Sequence, residues 1–133
     1  GARLVSGGVG RPEGFEKGFF VKPTVFADVT PDMDISKEEI FGPVLSIIPF
    51  KDQAHAVELA NDTPYGLTNY IQTGDPDRAR ELARKLRSGM VEVNGALLSP
   101  ASPFGGVGLS GVGREGGVWG LEEFLYPKAV SGI

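Results

Sequence analysis

The sequence predicts an α/β fold built on a mainly parallel sheet. Three observations carry that expectation. Between residues 44 and 94, segments of strand and helix character alternate in the order strand, helix, strand, helix, strand. The run VLSIIPF at 44–50 is continuously apolar, as in a strand covered on both faces. Ala79, Leu82, Ala83 and Leu86 recur at i, i+3, i+4 and i+7, which is one stripe of a helix. Strands joined through helices in this order lie parallel, with right-handed crossovers.

Taken along the chain, RLVS at 3–6 reads as a short strand before a Gly/Pro/Glu loop. GFFVKPTVFADV at 18–29 is aromatic and β-branched and so extended, with Pro23 marking an edge strand or a break, because proline cannot donate to a ladder. Residues 30–43 read as loop with one helical turn. Asp52 can cap a helix over 53–61 that gathers Ala56, Val57 and Ala60 on one face and leaves His55 mostly exposed, with no role. A strand follows at 67–73. Asp75-Pro76 then supplies an N-cap and a proline at the first helical position, opening a helix to about Leu86 that Ser88-Gly89 ends. MVEVN at 90–94 is the next strand; a long glycine loop, a short helix near 118–125 and an extended tail, PKAVSGI, complete the chain.

Bulk properties narrow the function. With 133 residues, the expectation is one domain or one piece of a larger one. A net charge of −4 and the lack of a basic run argue against nucleic-acid binding. No apolar stretch is long enough for a membrane span and no signal-peptide pattern stands at Gly1, so a cytoplasmic protein is expected. Cysteine is absent and His55 is the sole histidine, which removes thiolate chemistry, Ser-His-Asp triads and paired-histidine metal sites from this chain; no metal is expected.

Of the 20 glycines, eight lie between 105 and 120, and FGGVGLSGVGREGG at 104–117 contains G-x-G-x-x-G twice. A dinucleotide-binding fingerprint needs a strand before it, a helix after it and an acid about 20 residues on. Here SPASP precedes it, the twentieth residue falls near Tyr126 or beyond the chain, and no second strand completes the unit. The context favours a tightly packed structural loop over a phosphate cradle.

A more specific signal is KEEIFGPVLSIIPF at 37–50, where Glu38-Glu39-Ile40-Phe41-Gly42-Pro43-Val44 strongly resembles a signature of the aldehyde dehydrogenase superfamily. ANDTPYGLTNYIQTGD resembles the family's N-x-x-x-Y-G-L segment, SGMVEVN its strand ending in Asn, and SPFGGVGLSGVGREGG its P-F-G-G…S-G-x-G-R-E-x-G loop. The features occur in the family's order over almost the whole chain. The resemblance implies a fragment of the three-layer αβα catalytic domain. Residues 1–108 would be its later part, and 109–133 a C-terminal loop, helix and oligomerisation strand. It also implies that phosphates are held by a separate upstream domain, and that the glycine loop packs beneath the active site.

The resemblance assigns four site residues. Glu39 matches the carboxylate that accepts hydrogen bonds from the nicotinamide ribose hydroxyls, a task suited to an acceptor-only group. Phe41 matches the aromatic that rests against the nicotinamide end. Phe104 matches a position facing the aldehyde tunnel, with ordinary loop packing as the plainer alternative. Glu115 matches a carboxylate behind the general base that can relay protons, a role suited to a buried acid near another acid; a salt bridge to Arg114 is its plainer alternative. Arg114 and Asn94 read as structural. Two positions depart from the pattern: Gly108 stands where Lys is frequent, and Tyr126 where many members carry an acid, so an ion pair from Arg114 to that acid is not expected.

The implied reaction is NAD- or NADP-dependent oxidation of an aldehyde to a carboxylic acid through a cysteine thiohemiacetal, the cysteine and general base lying upstream. The fragment alone is then inactive, and its exposed apolar surface and 124–133 arm should drive self-association into a homo-oligomer. GALLSPA at 95–101 suggests an apolar substrate pocket. A stand-alone, non-catalytic binding or oligomerisation module is the alternative.

Overall fold

A computed structural model describes residues 1–132. The chain divides into two compact units, Gly1–Ala56 and Val57–Ile133, the second described to residue 132.

The first unit is a three-stranded sheet in the order β1-β2-β3: β1 Arg3–Ser6, β2 Thr24–Ala27 and β3 Val44–Ser46. β1 pairs antiparallel with β2, and β2 pairs parallel with β3. The strand after Pro23 starts at the next residue, so the proline acts as a break; β2 itself is the central strand rather than an edge. Its position is sealed by Thr24, whose buried hydroxyl accepts from the Gly8 amide at 3.0 Å and donates to the Lys22 carbonyl at 2.9 Å. Thr24, Ala27 and the fully buried Val29 form the core of this unit. One turn of helix, α1 (Asp34–Lys37), closes with the Glu38 amide on the Asp34 carbonyl.

The expectation that 44–50 is buried on both faces is not met. Only 44–46 is strand, it lies at the sheet edge, and Leu45 is 58% exposed. Continuous apolarity signals a covered environment, and the 1–56 unit supplies no layer to cover this run.

Helix α2 (Gln53–Asn61) begins where expected, with the Asp52 carboxylate accepting from the His55 amide at 2.9 Å. His55 Nδ1 in turn accepts from the Lys51 amide, a local bond consistent with a structural residue.

The second unit is built on a β-α-β element: β4 Thr68–Ile71, α3 Pro76–Lys85 and β5 Met90–Val93, with β4 and β5 parallel. α3 packs on β4, and Ile71, Ala79 and Met90 are buried. The turn after β4 is clamped by Asn94, which sits at φ 54 and exchanges two bonds with Thr73, at 2.9 and 2.8 Å. Those two hydrogen bonds give Asn94 a structural role. Asn61 reaches across to the end of α3, donating to the Lys85 carbonyl and accepting from the Arg87 amide, which satisfies groups a helix end leaves open.

The glycine loop holds one 3-10 turn, Gly108–Ser110, followed by the short helix α4, Gly117–Glu122. Residues 126–132 form no strand; Phe124 and Tyr126 are exposed, and Ile133, the last residue of the expected arm, lies outside the described residues. Among the described residues, no helix is long and apolar enough to cross a membrane.

The Asp75 carboxylate accepts from the amides of Asp77 at 2.9 Å and Arg78 at 3.1 Å. Those two bonds, Arg78 first, hold its pKa below the usual carboxylate range. A lowered folded pKa contributes stability that is complete above the unfolded value and is lost as pH falls through the folded one. Asp75→Ala should therefore lower Tm at neutral pH, and the gap between the two melting curves should close as acid takes the solution through and below the carboxylate range. A gap that widens in acid would contradict this cap.

Candidate functional site

The loop between α1 and β3 carries the first pair of candidates. Glu39 is exposed, and among the described residues no protein group bonds its carboxylate. Phe41 adopts φ 55 and is 91% exposed. A left-handed backbone at a bulky aromatic costs on the order of 1–3 kcal/mol and persists only where the surroundings impose it. Here the chain is fixed immediately afterwards: the Thr24 amide donates to the Pro43 carbonyl at 2.9 Å, and the Val44 amide to the Gly42 carbonyl at 2.7 Å. The anchored strand pair thus presents an acceptor-only carboxylate and a bare aromatic face two residues apart.

The second unit brings the other pair together. Phe104 and Glu115 form an antiparallel bridge, the Phe104 amide donating to the Glu115 carbonyl at 2.8 Å and the Glu115 amide to the Phe104 carbonyl at 2.7 Å. Both line an open cleft of about 380 Å³, with Leu67, Val112, Arg114 and Glu123 also on its walls. Phe104 is 49% exposed on the cleft wall. Glu115 is exposed, which corrects the expectation of a buried acid: in this unit nothing covers that wall of the cleft. Its salt bridge to Arg114 does not form either. Arg114 Nη1 instead donates to the carbonyls of Gly106 at 2.7 Å and Gly113 at 2.8 Å, bracing the loop from within. Among the described residues, no group of three or more His, Asp or Glu side chains could hold a metal.

Several amides of the glycine loop are already engaged by backbone acceptors. Those of Val107, Leu109, Ser110 and Gly111 donate to Gly66, Pro64, Val107 and Gly108 respectively. Its glycines serve close backbone approach. A Cβ at Gly89 would lie 1.7 Å from the Gly105 carbonyl oxygen. Glu123, to which the sequence assigns no part, lines the cleft and accepts from the Arg114 amide at 3.1 Å. Nine residues separate the two, a spacing that no local pattern predicts; only the docking of α4 makes it visible.

Comparison with known proteins gives a consistent result. Residues 1–130 match the model of the aldehyde dehydrogenase family. The chain is 52% identical over 132 residues to a 3-succinoylsemialdehyde-pyridine dehydrogenase from a Pseudomonas species, covering 99% of this chain and 28% of that protein. It is 48% identical to a putative aldehyde dehydrogenase of Staphylococcus saprophyticus, with the same coverage. The chain thus spans under a third of the curated relatives' length. Among solved structures, the aldehyde dehydrogenase of Bartonella henselae superposes with a TM-score of 0.90 at 61% identity, over 93% of this chain and 26% of that one. A mutant of aldehyde dehydrogenase C from Pseudomonas syringae, solved with NAD+ and octanal, superposes with a TM-score of 0.94 at 49% identity, over 98% and 27%.

Gly89→Ala should destabilise the protein by about 1–3 kcal/mol or more, because two backbone segments must separate to admit one methyl. A urea midpoint unchanged from wild type would show that the 89–105 contact is not tight.

Proposed function

The chain belongs to the aldehyde dehydrogenase family, and we propose that it works within a longer enzyme that oxidises an aldehyde to a carboxylic acid. It is a fragment of such an enzyme, matching about 28% of its relatives' length. NAD is the cofactor this reading favours over NADP, since the mutant Pseudomonas syringae enzyme was solved with NAD+ and so was the Mycobacterium tuberculosis aldehyde dehydrogenase, which is 50% identical to this chain. When bound, the cofactor supplies the hydride acceptor.

One observation carries the reading: a strained, 91% exposed Phe41 two residues from an unengaged Glu39 carboxylate. The pair fits a nicotinamide riboside. Glu39 offers two oxygens to two ribose hydroxyls, and Phe41 gives the nicotinamide end a flat apolar wall that limits its motion without adding charge. Phe104 faces the aldehyde from the cleft, and Glu115, beside it, can pass protons to water. The chain contains no cysteine, so the nucleophile belongs to another part of the enzyme; the family resemblance places the general base there too, and the 133 residues alone do not turn over aldehyde.

In the same reading, residues 1–108 are the later part of the catalytic domain and 109–133 the loop, helix and oligomerisation arm. The enzyme is a cytoplasmic homo-oligomer, in keeping with the exposed Phe124, Leu125 and Tyr126 at the start of the arm.

Steady-state kinetics of the full-length enzyme test the cofactor assignment. Glu39→Gln should raise the KM for NAD about tenfold, the size of a hydrogen bond involving a charged group, with the aldehyde KM little changed. Phe41→Ala should act in the same direction. Unchanged NAD kinetics in both variants would remove the pair from the cofactor site.

A further inference from the structure

We propose that Glu123 is a positioning residue for the cleft wall formed by Phe104 and Glu115, an inference that rests on the aldehyde-oxidising role of that cleft. The argument runs through backbone contacts. α4 lies directly on the segment Arg114–Glu115: Gly120 is buried, and a Cβ there would meet the Glu115 carbonyl carbon at 2.9 Å and its Cα at 3.2 Å. Such an approach leaves no room for any side chain, so the helix backbone itself sets where Glu115 sits. One turn of helix later, the Glu123 carboxylate folds back. Its Oε1 accepts from the Arg114 amide at 3.1 Å, and a Cβ at Gly113 would sit 3.6 Å from the carboxylate carbon. Glu123 therefore lies over Gly113 and draws the end of α4 onto the loop segment that carries Glu115.

That segment is in turn the partner of Phe104. The Phe104–Glu115 bridge consists of two amide–carbonyl bonds, so a displacement of Glu115 carries Phe104 with it. A change at Glu123 thus reaches both cleft residues through the backbone. The Arg114 guanidinium does not duplicate the tether, because it is bonded to the carbonyls of Gly106 and Gly113 inside the loop. The tether needs only an acceptor oxygen on Glu123, not its charge. A glutamine amide oxygen can replace it, and an alanine cannot.

The experiment compares Glu123→Ala and Glu123→Gln in the full-length enzyme by two readouts. In steady-state kinetics, Glu123→Ala should raise the aldehyde KM roughly 3- to 10-fold, the weight of one lost hydrogen bond, while the NAD KM stays at the wild-type value. Glu123→Gln should recover most of that loss. In amide hydrogen exchange, Phe104, Arg114 and Glu115 should exchange faster in Glu123→Ala and return towards wild type in Glu123→Gln. Unchanged aldehyde kinetics in Glu123→Ala would overturn the proposal. So would equal impairment by Ala and Gln, which would make charge the agent, or a parallel rise in both KM values, which would indicate general destabilisation. If the wild-type enzyme oxidises no aldehyde, the functional reading falls by itself; the exchange rates then still decide whether Glu123 holds the 114–115 segment.

Discussion

The Gly66 carbonyl oxygen accepts from two amides at once, those of Gly89 and Val107, each at 3.0 Å. Through that one atom the start of β4, the entry to β5 and the glycine loop are fixed together. The Gly66 amide adds a second tie to the glycine loop by donating to the Ser110 hydroxyl at 3.0 Å. Such convergence requires backbones with nothing between them, which is why glycine stands at 66, 89, 105 and 106. The cleft, the Phe104–Glu115 bridge and the seat of α4 all hang from this junction. A glycine-rich run that resembles a phosphate-binding fingerprint on paper is here tied down at several positions by backbone bonds.

What the sequence made legible follows the range of the physics. α3 and its Asp75-Pro76 start depend on contacts within three or four residues, and both appear where local rules put them. The same holds for α2 and for β1. β3 departs from the expectation because apolarity reports the environment a segment is made for, and the layer that would cover Leu45 is not part of the 1–56 unit. Pro23 ended a segment as expected, yet the strand beyond it became central, because strand order is set by pairing at a distance. The tail 126–132, read as extended, forms no strand for the same reason: a strand exists only with a partner.

The candidate site was legible in its chemistry and not in its geometry. Glu39 and Phe41 stand out through a resemblance in seven consecutive residues, but nothing in those letters announces a left-handed backbone at Phe41. Phe104 and Glu115 are eleven positions apart in sequence and are brought face to face only by the loop's fold. Glu115 was expected to be buried, and the structure leaves it open to solvent. Glu123 is not legible in the sequence because its partner is a backbone amide nine positions away.

The central claim is that the Glu39–Phe41 turn holds the nicotinamide end of NAD. A crystal structure of the full-length enzyme with NAD bound tests it most directly. The account predicts both Glu39 carboxylate oxygens within about 2.6–3.2 Å of the ribose hydroxyls, with the Phe41 ring against the nicotinamide end. A bound cofactor whose ribose is held by other residues, with Glu39 left in solvent, would contradict it.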